Sequence, residues 1–120
     1  MTTRLIDTEK MRAAFASVPL CRRTWLVSDE ETSQFAMCAF TALVVFTGAM
    51  TAHEVDAIAR GAMTVSQAAQ LLAPILAEHY GIPEHIAEAI PVLFDDAPDE
   101  AAGCAAILAK CDAYNARLAA

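Results

Sequence analysis

Three four-residue segments constrain what this chain can fold into: Ser28-Asp29-Glu30-Glu31, Thr51-Ala52-His53-Glu54 and Thr64-Val65-Ser66-Gln67. Each sets a hydroxyl three residues ahead of a Glu or Gln. In such a capping box the hydroxyl accepts a backbone N–H of the first helical turn, and the longer side chain reaches back to the cap. Apolar residues at helical spacing follow all three, so the chain reads as a succession of short helices. Asp7 or Thr8 caps an earlier helix to about Ser17, which Val18-Pro19 ends. Leu20 to Val27 is a connection, with extended character around Thr24 to Val27. Gly61 and Gly81 follow helical stretches, Pro83 suits a first turn, and Pro98 precedes the last helix. Pro74 and Pro91 fall inside helical patterns and predict a kink in one helix and a bend or restart in the other.

The box at Ser28 opens the most apolar stretch. Phe35, Cys38, Ala39, Ala42, Leu43 and Phe46 form one stripe at helical spacing, and Met37, Phe40 and Val44 form another. A helix apolar on most sides belongs at the centre of a bundle. The expected fold is therefore all-α: five to six short helices around a central apolar helix at about 29–48. The chain has 120 residues, 57% of them apolar and many of those alanine, which suits one helical domain over 1–120 with its own core. The apolar run from Phe35 to Met50 is about 16 residues, short of the roughly 20 that span a bilayer. The opening MTTRLIDTEK has no apolar segment of the secretory kind. A cytoplasmic location with reduced cysteines is the expectation, with no membrane partner.

Charge is unevenly spread. The net charge is −7, and no Lys or Arg occurs between Arg60 and Lys110. That stretch carries Glu78, Glu84, Glu88, Asp95, Asp96, Asp99 and Glu100. Arg4, Lys10, Arg12, Arg22 and Arg23 gather near the start. Residues 54–76 read as helix, turn, helix, yet the second helix offers no cation for a phosphate backbone, so direct nucleic-acid binding is not expected.

Few residues are left over for chemistry. His79, with His85 and Glu88 across the Gly81-Ile82-Pro83 turn, could converge on a metal ion, but helix-end roles explain them as well. Cys104 and Cys111, seven apart, and Cys38 read as small core residues. Cys21 lies beside Arg22 and Arg23, whose charge favours a thiolate. No Gly-rich phosphate loop, serine nucleophile elbow or dinucleotide fingerprint is present. No catalytic residue, metal or cofactor is therefore assigned, and the reading leans against an enzyme. A small metal- or cysteine-dependent enzyme built on His79, His85, Glu88 or Cys21 is the alternative. Trp25, Arg22 and Arg23 are candidate contact residues, since Trp and Arg dominate interface hot spots. Asp95, Asp96, Asp99 and Glu100 could meet a basic partner, although carboxylates around a helix start have a local explanation too.

Trp25, the segment Met37-Cys38-Ala39-Phe40-Thr41-Ala42-Leu43, and Phe94-Asp95-Asp96-Ala97-Pro98 before the last helix together resemble a family of small all-helical domains of bacteria and phages. That family shows a Trp, a Cys-Ala-x-x-Ala-Leu segment and an Asn-Asp-x-Pro type of turn. The resemblance implies a helical fold and no particular activity. The functional expectation is an acidic interaction or regulatory module that binds another protein, of the kind a phage-type inhibitor would be. So apolar a short chain also suggests a homodimer.

Overall fold

The computed structural model describes residues 4–20, 26–29, 34–62 and 64–119, with side-chain surroundings at residue 37 but not at 26–29 or 34–36. Asp7 opens α1 (Thr8–Ala16) by accepting the Lys10 N–H at 3.0 Å. After Pro19 the chain reaches a two-stranded antiparallel hairpin, β1 (Leu26–Asp29) and β2 (Gln34–Met37), which pairs Leu26 with Met37 and Ser28 with Phe35. Helix α2 is Ala39–Phe46.

This corrects the expected central helix at about 29–48. Ser28 and Asp29 lie in a strand, and residues 30–33 fall outside the described ones. A capping box is a local device worth about 1 kcal/mol. Here a non-local bonding pattern outcompetes it. Met37 pairs with Leu26 on one side, while on the other its N–H donates to the Pro19 carbonyl at 3.0 Å and it bridges Leu20 in parallel. Val27 and Phe35 are residue types that favour strands. The helix starts only after this ladder, where the Cys38 sulfur accepts the Thr41 N–H as the cap.

What remains of the helix is central as expected. Ala39, Phe40, Thr41, Ala42, Leu43 and Val44 are all buried, and α1 packs on α2 together with the three helices that follow it. Phe46 departs from the expected stripe and is 41% exposed, because the helix ends there.

The other two segments open helices as expected, the first with both halves of its box in place. Thr51 and Glu54 bond each other's backbone N–H at the start of α3 (Ala52–Gly61). Thr64 accepts the Gln67 N–H at 3.1 Å and opens α4 (Val65–Tyr80). Then come α5 (Glu84–Asp96), preceded by Pro83, and α6 (Glu100–Ala119). Among the described residues the fold is thus a bundle of six helices, with the hairpin between the first two. Pro74 lies within the single helix α4, and α5 continues through Pro91 without a restart. Each proline withholds one helical N–H, but both helices bury long apolar faces that hold them continuous.

Helix α5 packs on both α4 and α6 and closes the core with Ile86, Ile90 and Phe94. A Cβ on Gly103 would lie 2.6 Å from Phe94 Cδ1 and 3.0 Å from the Phe94 carbonyl oxygen, so only glycine lets α6 approach this closely. Tyr80 is fully buried and its hydroxyl donates to the Leu43 carbonyl, one of those left without a helical donor at the end of α2. Among the described residues no helix is long and apolar enough to cross a membrane.

Candidate interaction surface

Several polar side chains hold the bundle together. The segment before α1, with the first turn of α1, crosses the end of α4 and caps it. Arg4 Nη1 donates to the carbonyls of Ala77 and Glu78 at 3.3 and 2.7 Å, Lys10 Nζ to that of His79 at 3.1 Å, and the Asp7 N–H to that of Tyr80 at 2.8 Å. Two cations thus sit where the helix dipole is negative. Gly81 allows this crossing: its φ is +75°, and a Cβ there would meet the Leu5 carbonyl at 2.8 Å. On the other side, Asn115 of α6 receives the Ile6 N–H at 2.8 Å and returns a bond to the Ile6 carbonyl at 2.9 Å.

The sequence-derived candidates fare differently. Among the described residues no group of three or more His, Cys, Asp or Glu could hold a metal ion. His79, His85 and Glu88 therefore do not converge across the turn, and the His85 ring lies against Tyr114 with centroids 5.9 Å apart. Burial, with the Glu100 charge adding, pushes the Cys104 thiol up to about 11. Burial and Asp112, against Lys110, push Cys111 up to about 11 as well. Such thiols stay protonated at neutral pH and are poor nucleophiles. Cys21, Arg22, Arg23 and Trp25 lie outside the described residues. Of the acidic corner, Asp99 acts as a cap, accepting the Ala102 N–H at 2.8 Å at the head of α6. Glu100 stands in the first turn of the same helix, Asp95 is half-buried and Asp96 exposed.

The outer side of α4 is a different kind of surface. From Gly61 to Ala77 the chain carries no charged residue. Gln67, Gln70, Leu71, Pro74 and Ala77 recur at intervals of three and four, and all are exposed, so they form one stripe along the helix. Leu71 is 64% exposed, the most of any large apolar side chain among the described residues. A depression of about 400 Å³ is lined by Gly61, Ala62, Gln67, Gln70 and Leu71. A second, of about 240 Å³, is lined by Gln70, Ala73, Pro74, Ala77 and Glu84. Gln70 belongs to both. Pro74 cannot donate the helical bond that the Gln70 carbonyl would take, so an acceptor without its helical donor lies at the seam.

Sequence reasoning missed this stripe. Leu71 beside the core residue Leu72 gives no sign in the sequence of facing out. The available signal was the absence of charge: an exposed helix face ordinarily carries charged residues. The chain matches no model of a known protein family, no curated protein and no solved structure.

Proposed function

We propose that this chain is a protein-interaction module that docks another protein on the outer stripe of α4. The observation that carries the reading is the exposure of Leu71 at the wall of one of two depressions that share Gln70 on an uncharged helix face, in a chain of net charge −7. Exposed apolar surface with few charges at its centre and a polar rim is the ordinary make-up of an interface. Asp95, Asp96 and Glu100 add a negative field that steers a partner without forming the contact.

A photo-crosslinking residue in place of Leu71 tests this in cells that make the protein. We expect a discrete adduct of one larger mass at that position, absent when the same residue replaces Leu118, which is also exposed but sits near the end of α6. No adduct at position 71, or only one of twice the chain's own mass, would overturn the reading.

A further inference from the structure

Resting on the α4 docking surface, we infer that its occupant is a basic, amphipathic helical segment of the partner protein. Three features of the surface select it. The first is dimension. From Gln67 to Ala77 the stripe runs about 15 Å, the length of roughly three helical turns, and the depressions along it are lined by short or compact groups, Ala62, Ala73, Pro74 and Ala77. A helix presenting small and branched apolar side chains at intervals of three and four fits such a lining, in the manner of helix-in-groove recognition.

The second is charge. Glu84 lines the second depression. On α5, Glu88 follows it by one turn, so this end of the stripe has an acidic rim. The cations at the two ends of the stripe are turned to other partners: Arg60 to Asp56 at 2.8 Å, and Arg4 to the carbonyls ending α4. A second copy of this chain would bring the same acidic rim to the surface, whereas Lys or Arg flanking an apolar face complements it. The third is the Gln70 carbonyl, whose missing helical donor a long cationic side chain can supply.

Full-length protein and fluorescein-labelled synthetic peptides of about 15 residues test the inference by fluorescence anisotropy. One peptide carries Lys on one face and Ala and Leu on the other; a second has Glu for every Lys; a third is a scramble of the first. We expect the basic amphipathic peptide alone to bind, and to weaken as salt rises from about 0.05 to 0.5 M. Leu71→Ser, and separately Glu84→Gln with Glu88→Gln, should each weaken it about tenfold, while Asp112→Asn should leave it unchanged. Circular dichroism confirms that each variant keeps its helix content. Absence of binding, equal binding of the scramble, or equal loss in the Asp112→Asn control would each overturn the inference. A crosslink from position 71 together with absent peptide binding overturns the occupant's chemistry and leaves the docking surface standing; failure of both removes the surface as well.

Discussion

Helices α2 and α6 reach stability by opposite routes. The first has eight residues, six of them buried. The second has twenty residues and buries three, Gly103, Ile107 and Cys111. An isolated eight-residue helix is unstable in water, because nucleation is costly and few bonds follow it. Helix α2 therefore exists only because four other helices enclose it. Helix α6 is long enough to make most of its own hydrogen bonds, and it packs one side on α5 and α1, with Cys104, Leu108 and Tyr114 partly buried against the core. Length and contribution to stability are thus separate quantities in this molecule.

The comparison can be broken or sharpened by substitution. Phe40→Ala, in the enclosed helix, should cost about 3–5 kcal/mol, whereas Phe46→Ala at its exposed end should cost under about 1 kcal/mol. Urea unfolding measures both; equal losses would remove the distinction within α2. Next in size is Gly103→Ala. Alanine favours helix, yet the added methyl strikes the Phe94 backbone and ring, so a loss of about 1–3 kcal/mol is expected. A gain in stability would show that α6 is free to shift away from α5.

Alkaline pH probes the same contacts more gently. Cys104 and Cys111 move from an ordinary 9.0 to about 11 in the fold. Burial, with the Asp7 charge adding, raises Tyr80 in the same direction. Between these values the folded chain keeps protons that the unfolded chain has lost. The associated stabilisation is therefore complete below pH 9 and declines as pH rises through 11. Thermal unfolding followed between neutral and alkaline pH should show this decline, and Cys111→Ala should make it shallower. The smallest effect belongs to Arg12, whose 3.7 Å pair with Asp112 joins two half-exposed side chains on the bundle surface. Arg12→Ala should change stability by no more than about 0.5 kcal/mol, and a larger loss in the same urea experiment would promote this edge of α6 to a structural role.

Where the sequence was legible, the signal was local. Asp7, Thr51, Thr64, Gly81 and Asp99 act within one turn of themselves, and each marks a helix boundary in the structure. Ser28 carries the same local pattern, but its surroundings depend on a ladder that reaches back to Pro19 and Leu20. No window around Ser28 contains that information. The docking surface was hidden for a related reason. Helical spacing says that Leu71 and Leu72 stand on different sides, and only the positions of α3 and α5 decide which side is covered. The acidic corner was readable because Asp99 needs nothing beyond its own helix.

The paired bonds between Ile6 and Asn115 join positions 109 residues apart. During synthesis the chain emerges from its first residue onward, so Ile6 is in solution long before Asn115 has been added. The end of α4 meets its capping segment early, while the second half of that segment's anchorage waits for the far end of α6. The bundle can thus collect its central helices as they appear, but it closes only once α6 has emerged as well.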